Sequence, residues 1–142
     1  MMRVVTIRGG KGGADTDAAA SELFKRQDDV EAAAAELLAA LRSIVGVEHV
    51  RTDQESLTLH GQDETEDLLF LPAVVVEPDT TAQVSAILRL ATEHGIPVTP
   101  RGGGTGLSGG ALPVSGGICL STRRFNRILE IDTQNLQAVV EP

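Results

Sequence analysis

The stretch that decides the fold is Thr99–Pro113, TPRGGGTGLSGGALP. Within it Gly104, Gly106 and Gly109 spell G-x-G-x-x-G, the spacing of a Rossmann dinucleotide turn. That turn requires a helix opening directly from the glycines, because the helix N-terminus is what holds the pyrophosphate. Here Gly109 is followed by GALPVSGG, and Gly110, Pro113, Gly116 and Gly117 forbid a helix of any length. Glu130 and Asp132 stand about twenty residues on, where a ribose-binding acid belongs. Without the helix that coincidence carries little weight, so the fingerprint is present as letters and absent as structure.

The loop keeps a physical signature of its own. Gly102, Gly103 and Gly104, then Gly106, Gly109 and Gly110, free the backbone to take positive φ, so that successive N–H groups can converge into a concave nest for an anion. Thr105 and Ser108 add hydroxyl donors, and Arg101 adds a nearby positive charge. A pyrophosphate suits such a nest, being large, charged and in need of many donors. A flexible linker is the plain alternative, but a linker is a Gly/Ser tract without flanking strands. This loop is sharply bounded by IPVTP and ICLS.

Outward from the loop, PAVVVEP (72–78) is a short β-branched run between prolines and predicts a buried strand. DTTAQVSAILRLATEHG (79–95) predicts a helix, with Thr80 and Gln83 in capping-box spacing and Gly95 as its stop. Val84, Ile87, Leu88 and Ala91 form its expected buried face. IPVTP (96–100) is a second strand, completing a β-α-β unit whose strands should run parallel. GGICLST, RILEID and LQAVVEP read as three further strands with no comparable helix between them. Helices early and strands late predict an α+β fold. The last strand stops at Pro142 without a partner after it, and the chain reads as the front part of a larger fold.

Upstream, DDVEAAAAELLAALRSIV (28–45) is rich in strong helix formers, with Val30, Leu37, Leu38, Leu41 and Val45 on one expected buried face and Gly46 as a stop. Residues 46–70 are polar and weakly patterned and read as a surface connection, with His49 and His60 solvated. The acidic run Asp63, Glu64, Glu66 and Asp67 lacks calcium-loop order and reads as a solvated charge run. Residues 1–27 read as a flexible leader; GGKGG (9–13) lacks the phosphate-loop spacing and the Ser or Thr after Lys. The organisation expected is a leader over 1–27, a helix and connection over 28–70, and a lobe over 71–142.

The bulk properties narrow the function. At 142 residues, 42% hydrophobic and 23% charged, the chain has the size and balance of one globular domain. A net charge of −8 and 2% aromatic content argue against nucleic acid, which is held by basic excess and stacked on aromatic rings. No run is long enough to span a bilayer, and the N-terminal apolar patch is too short for a signal peptide. Cys119 lies in an apolar run and reads as a small buried hydrophobe. A reducing, cytoplasmic setting is the expectation. His94, beside Gly95, reads as a helix C-terminal residue.

The segment from PAVVVEP through PRGGGTGLSGGALPVSGGICLS, with RFNRILEID and AVVEP after it, resembles the FAD-linked oxidases of the vanillyl-alcohol-oxidase, or PCMH, type. PRGGGTGLSGGALP and the preceding HGQDETEDLLFLP are most similar to the D-lactate dehydrogenase and glycolate oxidase flavin-subunit branch. The resemblance covers residues 60–142. It implies the first of two α+β lobes that hold FAD between them, with an N-terminal helical extension on this chain. It carries the pyrophosphate loop onto Pro100, Arg101, Gly102, Gly103, Gly104, Thr105, Gly106, Leu107, Ser108, Gly109 and Gly110. Covalently flavinylated relatives have a histidine about where Thr105 stands, so FAD held here is expected to be non-covalent. The second lobe and the substrate domain of such relatives have no counterpart here, and no residue of 1–142 is assigned as the base that takes a proton from the 2-hydroxy acid. Two readings follow. One is the flavin-binding N-terminal portion of a D-lactate- or glycolate-type dehydrogenase or oxidase, which meets its 2-hydroxy acid only in a complete protein or with a partner supplying the missing lobe. The other is a truncated, non-catalytic fragment that self-associates through its exposed lobe surface and last strand.

Overall fold

The computed structural model describes residues 15–142, and within its first helix the side chains from Asp29 onward. The described chain divides into two units, one ending at Leu37 and the other running Leu38–Pro142. Helix α1 runs Asp15–Val45. It begins ahead of the expected start near Asp28, so residues 15–27 are helical rather than irregular. The reason is local: DTDAAASELFKRQ contains no Gly or Pro and is mostly strong helix formers, with Asp15 and Asp17 at the positive end of the dipole. The rest of the expected leader, with GGKGG, lies outside the described residues. Of the expected apolar face, Leu41 and Val45 are buried, Leu37 and Leu38 half-buried, and Val30 exposed. Gly46 ends the helix as expected, at φ 94° and with its N–H on the Arg42 carbonyl at 2.9 Å.

Residues 46–70 are more ordered than a surface connection. A 3-10 turn at Val47–His49 leads into strand β1 (Val50–Arg51) and then helix α2 (Gln54–His60). Asp53 caps α2, its carboxylate accepting the Ser56 N–H at 2.9 Å. A two-residue strand and a seven-residue helix are too short to build a periodic signal. What orders β1 is its antiparallel pairing with strand β2 (Val74–Val76), which sets Val50 against Val76. His60 is buried and His49 half-buried, so neither is the solvated residue expected.

Helix α3 (Thr81–Glu93) follows β2. Thr80 Oγ1 accepts the Gln83 N–H at 3.2 Å, and the Gln83 side chain reaches back to accept the Asp79 N–H at 2.8 Å. The helix ends on Gly95 at φ 63°, with the Gly95 N–H on the Thr92 carbonyl and the Ile96 N–H on the Ala91 carbonyl. That pair of bonds is the Schellman arrangement, which satisfies carbonyls a helix end leaves open. Ile87 and Ala91 carry the buried face; Leu88, expected with them, is 45% exposed.

Strand β3 (Val98–Arg101) and strand β4 (Ile118–Ser121) complete a sheet of order β1-β2-β4-β3, in which β2, β4 and β3 run parallel. Thus β2 and β3 are parallel, but β4 lies between them. Both β2 and β4 are buried along their whole length, which is why VVV and ICL read as unbroken apolar runs rather than alternations. Around them Leu41, Val45, Val50, Ile87, Ala91 and Leu112 form the core. Strand β5 (Ile128–Asp132) and strand β6 (Gln137–Val140) form a separate antiparallel pair whose residues are almost all exposed. Mixed α/β architecture with a helical N-terminus is the result.

The position of the glycine loop follows from this topology. Because β3 and β4 are adjacent and parallel, the chain leaving Arg101 must return the full length of a strand to reach Ile118. Such a crossover usually takes a helix. Here residues 102–117 make it without one, so the backbone that a helix would have satisfied internally stays open at the C-terminal ends of the parallel strands. That edge is where ligands bind in open parallel sheets.

Candidate functional site

Glycines shape the loop at two kinds of position. Gly104 and Gly109 hold φ 74° and 70°, in the left-handed region that side chains with Cβ disfavour. Gly117, at the far end, packs so closely on the Pro97 carbonyl that a Cβ has no room. Among the described residues, none of the N–H groups from Gly102 to Ser108 donates to another protein group. Seven consecutive donors therefore stay available to solvent or to a ligand, whereas those of the helices and the sheet are consumed within the protein. Thr105, Leu107 and Ser108 are exposed, and among the described residues neither the Thr105 nor the Ser108 hydroxyl has a hydrogen-bond partner.

Arg101 does not project beside the loop as the sequence suggests. It is 7% exposed and lies beneath the loop, its guanidinium against Gly104. Nη2 donates to the Leu59 carbonyl at 3.2 Å, while Nη1 is buried without a protein partner. A buried guanidinium donor without an acceptor is costly unless something completes it. Its positive charge therefore stands under the open N–H groups, and both features favour an anion.

Next to the loop, at the ends of β3 and β4, lies a cavity of about 420 Å³ lined by His60, Arg101, Gly102, Gly103, Ser121 and Thr122 among others. Ser121 is fully buried and its Oγ has no partner. His60 Nδ1 lies 2.9 Å from the Ser56 carbonyl. A carbonyl only accepts, so Nδ1 is the donor of this bond. Asp63 is half-buried beside Gly106. Its carboxyl sits below the ordinary range, chiefly because Oδ1 accepts the Thr65 N–H at 2.9 Å, with the Arg101 charge a smaller contribution.

The residues assigned from sequence, Pro100 to Gly110, are therefore continuous along the chain: Pro100 and Arg101 end β3, with Arg101 turned inward, and Gly102 to Gly110 form the largely exposed loop after it. Sequence reasoning missed His60, Ser121, and the packing of residues 61–65 on the loop. The signal for His60 was available: Asp53 with Ser56 three residues on, and Gly61 after the histidine, mark the two ends of a short helix.

The profile of a family described as FAD binding domain matches residues 72–142. Glycolate oxidase subunit GlcD of Bacillus subtilis is 37% identical over 102 residues, 72% of this chain and 22% of that protein. D-lactate dehydrogenase of Archaeoglobus fulgidus is 51% identical over 81 residues, 54% of this chain and 18% of that protein. Among solved structures, 4-ethylphenol oxidase from Gulosibacter chungangensis superposes with a TM-score of 0.61 at 30% identity, over 75% of this chain and 21% of that one. The chain thus spans about a fifth of the length of these relatives.

Proposed function

The chain belongs to the FAD binding domain family, and from that premise we propose that it is the FAD-binding portion of a 2-hydroxy-acid dehydrogenase or oxidase of D-lactate or glycolate type. Residues 100–111 cradle the pyrophosphate. The observation that carries this reading is the unbroken run of unpaired N–H groups from Gly102 to Ser108 above a buried Arg101 with a free Nη1. Those N–H groups, with the hydroxyls of Thr105 and Ser108, would take the pyrophosphate oxygens, and Arg101 would balance charge from below. Gly104 keeps the backbone where a Cβ would collide with that guanidinium.

FAD, when bound, supplies a two-electron acceptor for the carbon that carries the substrate hydroxyl. The residues of this chain bind and orient; none of those described is assigned as the base. No histidine lies in the loop, so attachment there is non-covalent. The lone cysteine is fully buried, which fits a reducing compartment such as the cytoplasm. No helix among the described residues is long and apolar enough to cross a membrane.

The test is an absorbance spectrum of the purified chain followed by calorimetric titration with FAD and with ADP. A retained yellow chromophore, or ADP binding that Gly104→Val abolishes, supports the cradle. A colourless chain that binds neither overturns it. A second reading is favoured by the β5–β6 hairpin, where Ile128, Leu129, Ile131, Val139 and Val140 are each more than half exposed. So large an apolar surface calls for a partner, either the remainder of a two-lobed site or a second copy of the chain. Light scattering separates these, because a colourless dimer favours the self-associating fragment.

A further inference from the structure

We propose that Thr65 is a positioning residue for the glycine loop, and that residues 59–65 form a strap deciding which loop N–H groups remain free for a ligand. The inference rests on reading the loop as a pyrophosphate cradle and deepens it. Three hydrogen bonds tie the strap to the loop at its start, middle and end. The Leu59 carbonyl accepts from Arg101 Nη2 at 3.2 Å. The Glu64 N–H donates to the Gly106 carbonyl at 3.1 Å. Thr65 Oγ1 accepts the Gly109 N–H at 2.9 Å.

The third bond differs from the others because a side chain of the strap makes it, and so a substitution within the strap can remove it. It also divides the loop chemically. The Gly109 N–H is consumed by Thr65, whereas those of Gly102 to Ser108 are not consumed by any described residue. Asp63 holds Thr65 in place through the Thr65 N–H, and its buried Oδ2 packs on Gly106, where an added Cβ would come within 3.4 Å. A loop this rich in glycine loses more backbone entropy on ordering than any other composition. A strap that orders it before the ligand arrives removes that cost from binding, which is how preorganisation raises affinity. The family profile begins at residue 72, so the strap lies wholly ahead of the matched segment.

The test is calorimetric titration of ADP into the full chain as wild type, Thr65→Val and Thr65→Ser. Val keeps the shape and deletes the acceptor; Ser keeps the hydroxyl. ADP affinity is expected to fall about 3- to 10-fold in Thr65→Val, the worth of one hydrogen bond, and to return in Thr65→Ser. A merely structural role would move the melting temperature and leave the affinity of the folded chain unchanged. Amide hydrogen exchange on the wild type gives a second measurement that needs no variant. Without ligand, the Gly109 amide should exchange more slowly than those of Gly106 and Leu107; with ADP, those of Gly102 to Ser108 should slow and Gly109 change little. Equal affinity in wild type and Thr65→Val, or a Gly109 amide as open as Gly106, overturns the strap while leaving the cradle standing. A wild type that binds no ADP overturns the cradle, and the exchange of Gly109 still decides the strap.

Discussion

Replacing Gly104 by alanine tests the architecture of the loop most directly, and Gly95→Ala supplies the matched control. Both glycines hold positive φ, 74° and 63°, so either alanine enters the left-handed region at a cost of about 1–2 kcal/mol. At Gly95 nothing lies within 4 Å of the new Cβ, and the cost ends there. At Gly104 the Cβ overlaps the Arg101 guanidinium, which must swing away and give up its bond to the Leu59 carbonyl. A hydrogen bond to a charged group is worth about 1.5–3 kcal/mol, so Gly104→Ala should cost about 2.5–5 kcal/mol in all. At about 4–5 °C per kcal/mol for a domain of this size, it should melt roughly 6–15 °C below Gly95→Ala. It should also bind ADP at least about tenfold more weakly, because the guanidinium beneath the cradle has moved, while Gly95→Ala binds as wild type does. Thermal unfolding and calorimetry on the three proteins read both effects. If Gly104→Ala melts with Gly95→Ala and binds ADP like the wild type, the tucked arginine and the left-handed glycine are not what shapes the cradle.

Three other outcomes follow from local geometry. Thr80→Ala removes the cap of α3 and should cost about 1 kcal/mol, lowering the melting temperature without touching ADP affinity. Burial pushes the Cys119 thiol up to about 11. The folded chain therefore keeps a proton that the unfolded chain releases, and stability holds below the ordinary thiol range and falls as pH rises from there towards 11. A thiol reagent should accordingly leave the native chain unlabelled at mildly alkaline pH and label it in denaturant. The Asp53 carboxyl is held below its usual range, chiefly by the Ser56 N–H, so its contribution is present above that range and lost as pH falls through the folded value. Asp53→Asn, which still caps but does not titrate, should flatten that acid loss in a melting-temperature series.

The strands were legible where packing makes the sequence monotonous. VVV and ICL sit on the two central strands, buried on both faces, and such positions favour apolar residues. The helix α3 was legible through its two ends, Thr80 with Gln83 and Gly95, because end chemistry is local. The face of that helix was less so: Leu88 has helical spacing with the core residues and still stands exposed, since how wide a stripe is covered depends on what packs there. Helix α2 and strand β1 went unread because their order comes from β2 and from a single cap rather than from any repeat of their own.

By itself the sequence determined that a loop of glycines between two strands cannot be a Rossmann turn, because Pro113 and the flanking glycines rule out the helix that turn requires. That is a covalent and steric matter, settled within a dozen residues. Only the tertiary structure decided that Arg101 lies under the loop instead of beside it, that His60 is buried next to it, and that Thr65 takes the Gly109 N–H. These contacts join residues more than forty positions apart along the chain. No local pattern encodes them; they exist only because the fold sets the end of α2 and the residues after it beside the crossover that follows β3.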